Sequence, residues 1–318
     1  VHRIFSSNSY QPLQKRTSLR ESPINKQLQI AISNANSNAQ GHPFNITSNN
    51  TTSVGSINSA HIIENGRQSF FVKTNRRDML PMFEAESQAL LEIASTSTIR
   101  VPVPVCSGYS GSDSWLVMEN LQLQSHGDAH ALGEQLAAMH SVTSPSFGWH
   151  RDNTIGSTAQ INTPSDNWPE FFREQRLGFQ LVLAARNGYT GSLQAAGASL
   201  LENLDDFFTD HQPAASLLHG DLWGGNYAYT ASGQPVLFDP ALYYGDRETD
   251  IAMTELFGGF SKEFRSSYEY SLPLADGYQV RRHLYNCYHI LNHLNLFGGG
   301  YLSQAESMMQ KLLSERNG

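Results

Sequence analysis

Leu217-Leu218-His219-Gly220-Asp221-Leu222-Trp223-Gly224-Gly225-Asn226, followed after a short hairpin by Leu237-Phe238-Asp239-Pro240, is the stretch on which the reading of this chain turns. An apolar run delivers a His-x-Asp turn, an Asn follows, and a second Asp ends the next apolar run. The spacing is that of the His-Arg-Asp-x-x-x-x-Asn loop and its downstream Asp, an arrangement that serves phosphoryl transfer. Asp221 is then the proton acceptor, held beside the attacking hydroxyl. Asn226 and Asp239 offer the hard oxygens that Mg²⁺ accepts while keeping waters and nucleotide oxygens in its other positions. His219 reads as a structural residue that fixes the turn, because the Asp-to-Asn spacing gives the basic role to Asp221.

Such a centre needs a cation on the nucleotide phosphates, and the upstream sequence supplies one. Ala60 to Lys73 places β-branched and aromatic runs on either side of Asn65-Gly66, a hairpin signal, and with Val54-Gly55-Ser56 before it the segment from Val54 to Lys73 predicts three β elements. Lys73 closes the Phe70-Phe71-Val72 run. The helix that follows sets Phe83, Leu90 and Ile93 near one face with Glu86 beside it, so Lys73 and Glu86 are the two halves of a strand-to-helix ion pair, with Glu84 as the fallback. Gly55 and Ser56 form a turn able to aim N–H and hydroxyl groups at a phosphate. A nucleotide base would meet backbone near Glu119 and Leu121, where the strand Ser114–Glu119 passes into a linker running to Asp128.

Around these landmarks the chain divides into a polar extension over residues 1–27, expected to be flexible, a β-rich lobe over 28–120 and a mainly helical lobe over 121–318. A short amphipathic helix is expected from Leu28 to Ile32. Asn45, Asn49 and Asn50 begin Asn-x-Thr triplets that suit a solvated loop or an edge strand better than glycan sites. Helices are predicted over Ala129–His140, Trp168–Asn187, Leu193–His211 and Arg281–Leu294, with Gly298-Gly299-Gly300 as a break. The Asp152–Gly156 segment carries polar groups able to line a cleft. Asp250 is expected to cap its own helix and brace the catalytic turn. His289 and His293 stand at the spacing of a metal pair, but without the Glu of His-Glu-x-x-His they read as packing or substrate groups.

Composition narrows the class. Lys+Arg 21 against Asp+Glu 29 gives a net charge of −8, which disfavours nucleic acid and anionic membrane as partners. Two cysteines, Cys106 and Cys287, form neither a disulfide framework nor a metal knuckle, so a reducing cytoplasm is the default. No apolar run is long enough to span a bilayer.

The chain resembles the aminoglycoside phosphotransferase and choline kinase branch of the protein-kinase-like fold, through His219-Gly220-Asp221 and Asp239-Pro240 in place of His-Arg-Asp and Asp-Phe-Gly. It is most similar there to the fructosamine kinase (ketosamine 3-kinase) family. The matching segments are His219–Asn226, Phe238–Ala241 with Tyr243–Glu248, Met82–Glu86, Asp152–Ser157, Phe171–Leu177 and Leu291–Gly299. The resemblance implies an α+β, bilobal kinase-like fold. It also implies ATP- and Mg²⁺-dependent phosphorylation of the 3-hydroxyl of ketosamines, either small molecules or sugar adducts on protein lysines. A phosphate at C3 is allylic to the 1,2-enaminol of the adduct, so it can leave by elimination and free the amine. Trp223, Asp246, Arg247 and His293 are the expected acceptor-pocket residues. The alternative is a kinase of another hydroxyl compound, such as an aminoglycoside or choline; a nucleotide-binding pseudokinase is opposed by the intact Lys73, Asp221, Asn226 and Asp239.

Overall fold

The computed structural model describes residues 23–37, 44–52 and 57–315. The described residues open with helix α1 (Pro23–Ser37), then β1 (Ser48–Thr52), β2 (Ser59–Glu64), β3 (Ser69–Arg76), α2 (Leu80–Thr96), β4 (Pro104–Ser110) and β5 (Asp113–Glu119). It continues through β6 (Leu123–Gln124), α3 (Ala129–His140), β7 (Thr143–Ser144), β8 (Asn153–Ile155), β9 (Thr158–Gln160), α4 (Trp168–Phe172), α5 (Phe179–Arg186), α6 (Ser192–Glu202) and β10 (Ala215–Leu218). The last third holds β11 (Tyr227–Thr230), β12 (Pro235–Leu237), β13 (Tyr243–Gly245), α7 (Glu248–Leu256), α8 (Lys262–Ser271), α9 (Tyr278–Phe297) and α10 (Leu302–Glu315). Strands β1 to β5 form one antiparallel sheet in the order β1-β2-β3-β5-β4, while the later strands are short and pair in small sheets, β13-β10-β7, β12-β11-β6 and β8-β9, set among the helices.

The large sheet is covered on both faces where its central strands run apolar, Phe70–Val72 in β3 and Trp115–Met118 in β5. Along β3, Phe70 and Val72 pack with Leu28, Ile32 and Phe44, and Phe71 and Lys73 fall on the opposite face. Strand β5 repeats the division: Trp115 and Val117 join the outer cluster, Leu116 and Met118 the main core. Helix α1 is the outer cover. It runs well beyond the Leu28–Ile32 segment that periodicity picks out, because those two residues, 4% and 0% exposed, anchor a helix whose other turns are polar.

Several local expectations shift. The first strand lies in the Asn/Ser/Thr-rich segment before Val54, where β1 pairs with β2 in the register Asn50↔Ile62 and leaves Asn49 and Asn50 exposed. As an edge strand with one neighbour it needs no apolar alternation. The β2–β3 turn centres on Gly66-Arg67 rather than on Asn65-Gly66. Gly66 adopts φ +81°, and Asn65 Oδ1 accepts the N–H groups of Arg67 and Gln68. The predicted Trp168–Asn187 helix is interrupted by a π-turn over Arg173–Gly178, in which buried Arg176 lies 4.0 Å from the Tyr243 ring and donates to Ile161 O and Asn162 Oδ1. The Leu193–His211 helix divides into α6 and a 3₁₀ turn at Leu204–Phe208. Both cysteine thiols are pushed up by burial, Cys106 to about 11 and Cys287 to about 12. No helix among the described residues is long and apolar enough to cross a membrane.

Helix α9 runs through the helical body and carries His289, whose two ring nitrogens have no hydrogen-bond partner among the described residues. Burial, aided by the nearby His293, holds its pKa down at about 3. Between that value and the ordinary value of about 6.5 the unfolded chain binds a proton that the folded chain refuses, so stability falls as pH falls through this window. Acidification from pH 7 to pH 5 is expected to cost about 2 kcal/mol through this group. Urea titrations of the wild type and His289→Leu should show a flatter pH dependence in the variant.

Candidate active site

The catalytic turn leaves the end of β10, whose four residues are all buried between β13 and β7. Gly220 adopts φ +82°, and a Cβ there would lie 2.0 Å from Ala241 O, so only glycine allows the turn to pass under the segment that follows Asp239. Asp250 of α7 holds the turn from below: Oδ2 accepts the N–H of His219 at 2.7 Å and Oδ1 that of Gly220 at 2.9 Å, with His140 Nε2 at 3.1 Å. Burial opposes the charge on Asp250, but His140 and the other donors outweigh it and keep the carboxyl below its ordinary range. Asp250 therefore braces the turn as expected but does not cap its helix. The N–H of Glu248 is taken by Asp246 Oδ1 instead.

His219 is fully buried, and burial lowers its pKa. As a neutral ring it donates from Nε2 to Phe238 O at 2.9 Å and accepts the Asp221 N–H at Nδ1 over 3.3 Å. It thus ties the Asp221 turn to the backbone one residue before Asp239. Asn226 Nδ2 donates to Asp221 O and Oδ2, at 2.8 and 3.0 Å, which turns its amide oxygen away from Asp221. Burial pushes the Asp221 carboxyl up to about 7; the Asn226 bond opposes this and the charges of Asp239 and Asp250 add to it. Asp239 sits at φ +58°, a left-handed conformation that Asp adopts more readily than most residues.

Opposite these groups stands Lys73 of β3, 5% exposed, with Nζ 2.6 Å from Glu86 Oε1 and 2.5 Å from Asp239 Oδ1. Burial disfavours its charge, but the two carboxylates overcome that and hold the ammonium above the usual lysine range. One cation thus serves two anions, and burial with the neighbouring Asp239 pushes Glu86 up against the pull of Lys73. Glu86, not Glu84, is the partner. Lys73, Glu86, Asp221, Asn226 and Asp239 all line one cleft of about 210 Å³ between the sheet and the helical body.

The expected acceptor residues separate. Trp223 and His293 line the cleft, with His293 Nδ1 2.8 Å from His289 O and its ring near Phe257, Phe297 and Tyr301. Asp246 and Arg247 do not. Asp246 is buried against His211 and Tyr285, at 2.6 and 2.5 Å, and Arg247 reaches Tyr268 and the carbonyls of Leu272 and Pro273. Both are drawn into the packing of α7 against α8 and α9, where their charges find partners. Glu119 and Leu121 lie outside the cleft lining; the Glu119 N–H already donates to Val103 O and its carboxylate pairs with Arg100. Gly55 and Ser56 fall outside the described residues, as do residues 1–22 of the expected extension. The next residues, Ile57 and Asn58, line the cleft and are held by Asn75 Nδ2. The Asp152–Gly156 segment enters as expected through the β8–β9 hairpin. Asn292, beside His293 in the matching segment Leu291–Gly299, is a lining residue not singled out from the sequence; its Oδ1 accepts from Gln180 Nε2 at 3.2 Å.

A strand lysine paired to a helix glutamate, facing a His-Gly-Asp turn, an amide and a second Asp, defines a phosphotransferase of the protein-kinase-like fold. A family model for fructosamine kinases matches residues 28–315. The chain is 46% identical over 280 residues to a probable ketoamine kinase of Synechocystis sp., covering 87% of this chain and 94% of that protein. It is 42% identical over 278 residues to the chloroplastic protein-ribulosamine 3-kinase of Arabidopsis thaliana, 86% and 85% of the two chains. A crystal structure assigned as a fructosamine-3-kinase from Haemophilus somnus superposes with a TM-score of 0.82 at 28% identity, over 91% of this chain and 99% of that one. An ADP-bound aminoglycoside phosphotransferase gives 0.58 at 12% identity over 90% and 98%, which speaks to the fold alone. The chain belongs to the fructosamine kinase family.

Removing Asp250 leaves two buried N–H groups and His140 without their acceptor. Asp250→Ala is expected to lose about 3 kcal/mol of stability in urea unfolding, and Asp250→Asn, which keeps one acceptor oxygen, less.

Proposed function

We propose that this protein phosphorylates the 3-hydroxyl of ketosamines, free or on protein lysines, with ATP as donor and Mg²⁺ as its counter-ion. The observation that carries the reading is the meeting of Lys73, Glu86, Asp221, Asn226 and Asp239 in one cleft although they come from distant parts of the chain. Lys73, steadied by Glu86, holds the nucleotide phosphates. Asp221 orients the acceptor hydroxyl and takes its proton while the new P–O bond forms and the bond to the ADP oxygen breaks. The donor set suits a magnesium ion: Asn226 Oδ1 and the Asp239 carboxylate are hard oxygens, and the cleft has more carboxylates than ammonium groups. A bound Mg²⁺ would offset charge on the transferring phosphate.

The acceptor follows from the family rather than from the cleft chemistry. Trp223 and His293 give that end of the cleft an aromatic wall, and Asn292 adds an amide, a combination suited to a polyol carrying an amine. Net acidity does not oppose such substrates, which are neutral or cationic. Two free thiols with raised pKa values, Cys287 buried and Cys106 half-buried, fit a reducing compartment such as the cytoplasm.

The test is ATP consumption with ribulose-lysine, fructose-lysine, an aminoglycoside and choline, with the phosphorylated carbon located by NMR. Phosphate at C3 of a ketosamine is the expected product. Turnover of another alcohol with the ketosamines inert would overturn the substrate assignment. Asp221→Asn should lower kcat at least a thousandfold with ATP affinity and melting behaviour retained. Unchanged turnover would remove Asp221 from the mechanism.

A further inference from the structure

The ion pair that joins the two halves of the cleft, Lys73 with Asp239, uses the groups that the reaction itself needs. Once Lys73 turns to phosphate oxygens and Asp239 to a divalent cation, that contact no longer holds α2 and its Glu86 against the helical body. A second tie stands apart from the cleft. Glu92, also on α2, accepts from Trp149 Nε1 at Oε2 over 2.7 Å and from the Tyr244 hydroxyl at Oε1 over 2.8 Å. None of these three residues lines the cleft.

Both donors are themselves fixed. The backbones at Gly148 and Tyr244 exchange two N–H···O bonds of 2.8 Å. Tyr244 lies on β13, paired with Leu217 of β10, the strand that carries the catalytic turn. Trp149 is 5% exposed, so the bond to its indole N–H is made in a largely dry setting. Burial and the Glu92 carboxylate both raise the Tyr244 hydroxyl pKa, which keeps it a donor. Further along α2, Gln88 Oε1 and Pro81 O accept from Arg151, but those contacts are exposed.

We infer that Glu92 is a positioning residue: its two bonds to Trp149 and Tyr244 clamp α2 to the strand bearing Asp221, and so keep Glu86 on Lys73 while nucleotide occupies the cleft. The clamp acts through Glu86 and never touches substrate. The inference rests on the phosphate-binding role given to Lys73 under the proposed function.

Three measurements test it. In the ligand-free protein, Glu92→Ala should speed amide hydrogen exchange across residues 80–96 at least tenfold while exchange in α9 stays at its wild-type rate. In steady state it should raise the KM for ATP about tenfold and lower kcat severalfold, leaving the KM for the acceptor near its original value. Glu92→Gln, which retains one acceptor oxygen, should fall between. Tyr244→Phe should weaken ATP binding in the wild type but add little to Glu92→Ala, because the two share one bond. His211→Gln serves as a comparison for destabilisation remote from the clamp, and should lower the melting temperature without moving the KM for ATP.

A Glu92→Ala protein that melts earlier but keeps wild-type ATP kinetics and α2 exchange would overturn the clamp. If Lys73→Ala and Glu86→Ala raise the KM for ATP while Glu92→Ala does not, the clamp alone fails. If Lys73→Ala leaves the KM for ATP unchanged, the phosphate-binding reading fails and takes the clamp with it.

Discussion

One buried ammonium, shared by two carboxylates from different parts of the chain, sets the terms for the rest of this structure. Lys73 can reach Glu86 and Asp239 only if β3 holds its register, since side chains alternate across a sheet and a slip by one residue would send the lysine to the other face. That register is set by apolar burial. Phe70 and Val72 belong to the cluster closed by Leu28 and Ile32 of α1, and their burial on that side leaves Lys73 facing the cleft. Helix α1 lies far from the chemistry and still bears on it, because without an outer cover the sheet would expose the residues that choose its face.

The other half of the cleft depends on a second buried charge. Asp250 has no place in the cleft lining, yet it accepts the two N–H groups that shape the His-Gly-Asp turn. A buried carboxylate is costly unless its acceptor capacity is filled, and here two backbone donors and His140 fill it. Neutral His219 extends the brace to the backbone beside Asp239, so the two aspartates of the cleft are tied through one ring. Gly220 is the backbone concession that permits it.

These dependencies also explain what could be read from the sequence and what could not. Lys73, Asp221, Asn226 and Asp239, which the fold gathers into one cleft, could be picked out because they stand at strand ends and turns, where local pattern marks them. Helix α3 was visible to the residue because its apolar spacing and the Asp128 cap are local. Asp246 and Arg247 lie within the matching segment Tyr243–Glu248 and were read as pocket residues, but a place in a motif does not say which way a side chain turns. Their partners, His211 in the loop before β10, Tyr268 of α8 and Tyr285 of α9, stand at least twenty residues away along the chain. Asn292, although inside the matching segment Leu291–Gly299, and Glu92 were not singled out for the same reason: each is an ordinary helical polar residue until the fold brings Gln180, Trp149 and Tyr244 to it. Strand β1 could be offered only as loop or edge strand, because an edge strand in a polar segment carries no apolar alternation.

The balance of charge in the cleft links this architecture to its chemistry. Glu86, Asp221 and Asp239 line it with Lys73 as the counter-charge of Glu86 and Asp239, and Asp250 lies just beneath. Burial accordingly pushes Asp221 to about 7 and lifts Glu86, the response expected of carboxylates with too few cations among them. A neutral substitute at Asp221 or Glu86 would ease that repulsion and forfeit the group, so the stability of the protein and the retention of these two carboxylates pull in opposite directions. Rigid support under the turn and along α2 is what allows the strained arrangement to persist, because carboxylates free to move apart would relieve their repulsion by doing so. The buried braces around the cleft are therefore part of how its carboxylates stay together around one ammonium.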